Sequence, residues 1–178
     1  MSTSRSPPME VFMETIPFGS AEAVVKLVEL TAKGEGFGRL IGLGSLRLCS
    51  KYGRPDLSMS AKGQEFPAYD GRGLQGMALN YATSNRGGCH VRGYMVSPEV
   101  LGIPVKLDGG ATEGKAAMLQ AFQALTAVVD SAGICLFTTF AWGAPEIQAQ
   151  VQAACEGDWS VDKLLLLGER VWNLEREF

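Results

Sequence analysis

The chain has 178 residues, 46% of them apolar or aromatic and 20% charged, the proportions of one folded domain or of a large piece of a bigger protein, not of a disordered or fibrous chain. Lys and Arg number 16 against 19 Asp and Glu, for a net charge of -3, so no basic surplus exists to neutralise a phosphate backbone or an anionic membrane, and a nucleic-acid partner is not expected. The longest apolar runs, such as Leu164 to Leu167, are a few residues long against the ~20 needed to cross a bilayer, and the polar, proline-containing start has no apolar signal core. The chain is therefore expected to be cytoplasmic, with no membrane partner.

Residues 1–13 are expected to form a disordered tail. Ser20 then caps a helix whose positions Ala23, Val24, Leu27, Val28 and Thr31 follow a 3.6 period, ending in Gly34 to Gly38. A second helix is predicted from about Arg39 to Lys51, making a helical hairpin with the first. Met59 to Asp70 reads as a loop or short extended piece, and Leu74 to Ala82 as a short helix broken by Asn85-Arg86-Gly87-Gly88. Glu113 to Val129 has the strongest helical pattern, with Ala117, Ala121, Ala124, Leu125 and Val128 on one stripe. Pro145 suits the first turn of a helix reaching about Glu156. Ser160 caps a final helix with Leu164, Leu167, Gly168, Val171 and Leu174 as its buried face. No segment alternates apolar and polar residues long enough to argue for a sheet, so the expected fold is mostly all-α. That last helix runs to Phe178 with no cap beyond it, and the chain reads as cut off there.

Chemistry concentrates in two places. The first, Ala82 to Tyr94, combines glycines that permit close approach of a ligand, two arginines that can hold an anion, and His90, the single histidine of the chain. Any imidazole acid, base or ligand must be that residue, although a histidine after such a turn can equally be structural. Cys89 is a poor nucleophile partner for it, because adjacent side chains diverge. The second place is Asp130-Ser131-Ala132-Gly133-Ile134-Cys135, where the aspartate can accept from an amine-bearing ligand and the thiolate can bind a soft metal. A buried, inert cysteine after a helix end is the alternative. Four cysteines, Cys49, Cys89, Cys135 and Cys155, lie 40, 46 and 20 positions apart, with no C-x-x-C pair. Because a cubane cluster needs four thiolates, Cys135 would need partners outside the chain or the distant other three. Gly36-Phe37-Gly38 and Gly71-Arg72-Gly73 lack the strand and the Lys-Ser/Thr of a phosphate loop, and Trp142, Trp159 and Trp172 read as core or interface anchors.

Four stretches taken in order, Lys62 to Asp70, Tyr81-Ala82-Thr83-Ser84-Asn85-Arg86-Gly87 through Tyr94, Asp130-x-x-Gly133-Ile134-Cys135, and Gly168-Glu169-Arg170-Val171-Trp172-Asn173-Leu174-Glu175-Arg176, resemble the aldehyde ferredoxin oxidoreductase family of tungsten, sometimes molybdenum, pterin enzymes. The resemblance runs from about Glu14 to Phe178. It implies that Asp130, Gly133 and Ile134 contact one pterin of a bis-pterin cofactor, with isoleucine where the family usually has leucine, and that Cys135 is the fourth ligand of a 4Fe-4S cluster. It further implies that His90 lies beside the metal and handles the substrate proton, and that Arg92 contacts the cofactor. The family's N-terminal β-rich domain, its three clustered cysteines and its first D-x-x-G-L motif have no counterpart here. Residues 14–110 then correspond to the end of the middle helical domain and residues 111–178 to the start of the C-terminal one, with the missing N-terminal region on the same enzyme or a separate subunit. The function so implied is oxidation of an aldehyde to a carboxylic acid, with electrons passing through the cluster to ferredoxin. The alternatives are reduction of an aromatic acyl thioester on the same scaffold, or a cofactor-free helical remnant or interaction module.

Overall fold

The computed structural model describes residues 17–178, so the tail expected over residues 1–13 lies outside the described residues. The chain divides into two compact units, one ending at Ser58 and the other Met59–Phe178. In the first, helix α1 (Ala21–Lys33) starts as the sequence predicts: the Ser20 side chain accepts from the Ala23 N–H at 3.2 Å. Its predicted stripe is only half covered, with Ala23, Leu27 and Thr31 partly buried and Val24 and Val28 exposed. The helix expected from Arg39 to Lys51 is two short ones, α2 (Gly38–Ile41) and α3 (Ser45–Lys51). The break falls at Gly42-Leu43-Gly44, where Gly44 takes φ 85°, outside the range a helix allows. Two glycines in three positions cost too much helix propensity for a four-residue turn to bridge.

The second unit opens with the extended piece, a hairpin of β1 (Ser60–Ala61) and β2 (Gln64–Glu65) in which Ser60 faces Glu65 and Ala61 faces Gln64. Helices α4 (Gln75–Thr83), α5 (Lys115–Ser131), α6 (Ala144–Ala154) and α7 (Val161–Glu177) follow, with 3-10 turns at Val91–Gly93 and Leu136–Phe140 and a π turn at Ser97–Leu101. The fold is mostly α-helical, as expected. No helix among the described residues is long and apolar enough to cross a membrane.

Helix α5 is the axis of this unit. Its first half places Leu119 in a core with Met77, Tyr81, Met95 and Val96, and its second half places Val128 and Val129 in another with Ile147 and Leu164. Helix α7 lies along α5 so closely that a Cβ on Gly168 would sit 2.0 Å from the Ala124 carbonyl oxygen; only glycine allows the two backbones to meet there. The buried stripe of α7 is therefore Leu164, Gly168 and Trp172, spaced by four. Leu174, expected on that face, is 62% exposed: the helix turns the Trp172 ring inward and carries Leu174 two positions, about 200°, away from it.

A buried ion pair fixes α4 to α5. The Glu99 carboxylate accepts from the Gly76 and Met77 N–H groups at 2.7 and 3.1 Å, filling the open N-terminus of α4, and the Lys115 ammonium meets it at 2.5 Å. Both side chains are all but inaccessible to water. Pairing and backbone donors together compensate a carboxylate that burial alone would expel.

Candidate functional site

The segment after α4 is laid down by its own polar groups. The Arg86 N–H donates to Ser84 Oγ at 3.2 Å and the Gly87 N–H to the Ser84 carbonyl at 3.2 Å, while the Asn85 amide reaches α7, donating to the Trp172 carbonyl at 3.2 Å and to Glu175 Oε2 at 3.0 Å. This brings the chain to His90, which precedes the 3-10 turn Val91–Gly93. The imidazole is partly buried, with its centroid 5.6 Å from the Tyr69 ring and 6.0 Å from the Tyr94 ring. Desolvation pushes its pKa below the ordinary histidine value, which keeps it neutral, and able to accept a proton, at neutral pH. Burial also pushes the Tyr94 phenol up, with a hydrogen bond to Tyr69 adding to the effect.

Two residues on, Arg92 points the other way. Its side chain is 7% exposed, and the guanidinium donates to Asp130 Oδ2 at 2.7 Å and to Glu175 Oε2 and lies 5.3 Å from the centre of the Trp172 ring, within cation–π range. Burial by itself would lower the Arg92 pKa, but the two carboxylates overcome it and the net shift is upward. At Glu175 burial acts to raise the pKa, and the Asn85 amide and Arg92 outweigh it, holding the carboxyl below its usual range. The Arg92 Nε–H is buried with no hydrogen-bond partner among the described residues.

Asp130 lies at the end of α5, where the chain reverses. The Gly133 N–H returns to the Asp130 carbonyl and the Ile134 N–H to the Val129 carbonyl, both at 3.1 Å, with Gly133 at φ 68°, a left-handed helix end. Ile134 packs against the Val128, Val129, Ile147 and Leu164 core, which leaves Asp130 and Cys135 exposed on either side of the turn. The Thr138 N–H and hydroxyl both donate to the Cys135 carbonyl, at 3.0 and 2.7 Å. The structure thus joins Arg92 directly to Asp130, with Gly133, Ile134 and Cys135 in the same turn. His90 is linked to them through the turn it shares with Arg92, and its own ring contacts are to Tyr69 and Tyr94. Glu175 and Asn85 belong to this junction too, through contacts that join α7 to the segment after α4.

Residues 10–178 match the model of a family described as aldehyde ferredoxin oxidoreductase, domains 2 & 3. The chain belongs to the aldehyde ferredoxin oxidoreductase family. It is similar to the tungsten-containing aldehyde ferredoxin oxidoreductases of Pyrococcus furiosus and Pyrococcus horikoshii, 49% and 47% identical over 162 residues. A third such relative, from Thermococcus kodakarensis, is 46% identical over 162 residues. In each case the match covers 90% of this chain and 27% of the relative, so the chain spans about a quarter of the length of these family members.

The donor groups present can be set against the pterin-bound metal and the iron-sulfur cluster that the resemblance implies. Among the described residues no three His, Cys, Asp or Glu side chains gather as a metal site. Cys89 is buried and Cys49 partly so, while Cys135 and Cys155 are both exposed; of these two, only Cys135 lies in the turn with Asp130, and one thiol can be no more than one ligand of a cluster. Asp130 commits Oδ2 to Arg92 and leaves carboxylate capacity on an exposed face for an amine donor. Tyr94 also lines an apolar cavity of about 320 Å³, with Phe122, Leu125, Phe140, Trp142 and Leu165 among its other walls. Tyr94 is thus a wall shared by the cavity and the His90 site, its ring meeting Phe140 edge-on at 5.7 Å.

Proposed function

We propose that this chain carries part of the catalytic centre of a cytoplasmic oxidoreductase that converts an aldehyde and water into a carboxylic acid, two protons and two electrons. The observation that supports this reading is the 2.7 Å Arg92–Asp130 ion pair, which joins the His90 turn to the Asp130–Cys135 turn, the two segments for which the resemblance implies cofactor contacts. Residues 14–110 are then the end of a middle domain and residues 111–178 the start of the last.

When bound, a tungsten (or molybdenum) bis-pterin supplies the two-electron acceptor and a 4Fe-4S cluster the one-electron route to ferredoxin. Asp130 accepts from pterin N–H groups, Gly133 and Ile134 offer backbone contacts in the same turn, and the Cys135 thiolate ligates the cluster. Arg92, anchored by Glu175 and lying over the Trp172 ring, fixes the Asp130 carboxylate and, through it, the cofactor contact. His90, neutral because it is partly buried, takes up a proton released in the oxidation at a ring nitrogen, with the ring held beside those of Tyr69 and Tyr94. The cavity behind Tyr94 receives the apolar substituent of the aldehyde.

The test is to complete the chain with the regions of the Pyrococcus furiosus relative that lie before and after the matched segment. Tungsten and iron content and aldehyde-dependent reduction of ferredoxin are then measured, with and without Cys135→Ser. The reading expects activity with both metals present, and iron lost in the variant. Iron content unchanged by Cys135→Ser contradicts the cluster assignment, and a completed protein that folds but holds neither metal makes the chain a cofactor-free helical module. Turnover of an aromatic acyl thioester in place of aldehydes would move the chain to the other reaction of the scaffold.

A further inference from the structure

The turn that carries His90 and Arg92 is gripped by a residue that no motif singles out. Asn80 sits in α4, wholly buried, and its Nδ2 donates to the Cys89 carbonyl at 2.9 Å, the peptide oxygen just before His90. Its Oδ1 has no hydrogen-bond partner among the described residues and faces the far end of the same turn: a Cβ on Gly93 would come within 2.5 Å of it. One amide therefore spans the turn from the residue before His90 to the residue after Arg92. A buried amide oxygen without a donor is unfavourable, and an apolar side chain of the same shape would avoid that loss. The side chain at this position is explained by what its donor holds.

The support behind Asn80 is equally fixed. Buried Glu99 and Lys115 hold the N-terminus of α4 to the first turn of α5, and Gln123 in the middle of α5 donates to Thr83 Oγ1 at 3.0 Å. Arg92 then returns from the turn to Asp130 at the other end of α5. Lys115, Glu99, α4, Asn80, the turn, Arg92 and Asp130 make a closed ring in which the Asn80–Cys89 bond is the link to the turn itself.

We infer that Asn80 is a positioning residue that sets the place of the His90 ring by holding the Cys89 peptide against α4. It rests on the reading of His90 as the proton-handling group, and its test does not depend on activity. His90 is the only histidine of the chain, so in protein labelled at histidine its imidazole signals need no assignment. Nuclear Overhauser contacts from the ring to Tyr69 and Tyr94 report its position. Asn80→Leu, which keeps the shape and removes the donor, is expected to abolish those contacts. Asn80→Asp, whose buried carboxyl can donate while protonated, is expected to keep them at low pH and lose them as the carboxyl ionises. Ile147→Ala, a truncation in the core cluster that Tyr69 and Tyr94 do not join, is expected to leave them in place at a comparable loss of melting temperature. Contacts retained in Asn80→Leu, or lost equally in Ile147→Ala, would overturn the inference. If Asn80→Leu does not fold, the pH-dependent loss in Asn80→Asp decides, and its absence overturns the inference. In the completed enzyme, displacement of the ring is expected to lower kcat about 10²-fold. Lost contacts with unchanged turnover per bound metal would leave Asn80 as the positioning residue and remove His90 from the reaction.

Discussion

His90 and Arg92 are two residues apart and have opposite surroundings, one imidazole between two tyrosine rings and one guanidinium between two carboxylates. The first can be followed by titration of the single histidine signal. Because desolvation disfavours the imidazolium, the midpoint is expected below 6.5 in the folded chain. The sign for stability follows. The unfolded chain binds the proton more readily, so stability is fully present above pH 6.5 and is lost as the pH falls from there through the folded midpoint. A midpoint at or above 6.5 would contradict the burial of the ring. The residue types and spacing alone mark His90 and the Asp130–Cys135 segment as candidates, because glycine-flanked histidine and aspartate near a lone cysteine are chemically unusual in a chain of this composition. They do not reveal Glu175 or Asn85, whose pairings close over 83 and 90 positions. Nor do they reveal Asn80, whose role depends on a carbonyl in a turn that periodicity does not describe.

At the scale of elements, legibility follows length. Helices α5 and α7 repeat their apolar positions over 17 residues each and emerge close to their predicted limits. The stretch from Arg39 to Lys51 has three leucines at helical spacing, but two glycines outweigh them locally. The face of α7 is misjudged at Leu174 because periodicity alone cannot tell a leucine from a tryptophan two positions away that also covers an arginine. Two substitutions test the element contacts. Gly168→Ala forces a methyl group toward the Ala124 carbonyl, a backbone atom that cannot move aside, so it is expected to cost about 1–3 kcal/mol, read as a lowered denaturation midpoint. Unchanged stability would mean that α5 and α7 do not touch at that crossing. Lys115→Met leaves the Glu99 carboxylate buried without its partner and is expected to cost about 3–5 kcal/mol. A loss under ~1 kcal/mol, as at exposed pairs, would show that the pair is open to water.

Across the whole chain, the unit Met59–Phe178 contains every residue assigned to the site, and α5 runs through it as a strut with Lys115 at one end and Asp130 at the other. This arrangement explains how a segment spanning 27% of its relatives' length can hold a defined geometry for groups that need partners from elsewhere. The central claim is that His90 moves a proton in that shared centre. It is tested most directly by turnover per bound tungsten in the completed protein, for the wild type and His90→Asn, with melting temperatures measured alongside. The expected result is a loss of about 10² to 10⁴ in turnover at unchanged metal content and nearly unchanged melting temperature. Equal turnover per tungsten, with the melting temperature lowered, would make His90 a structural residue and contradict the account.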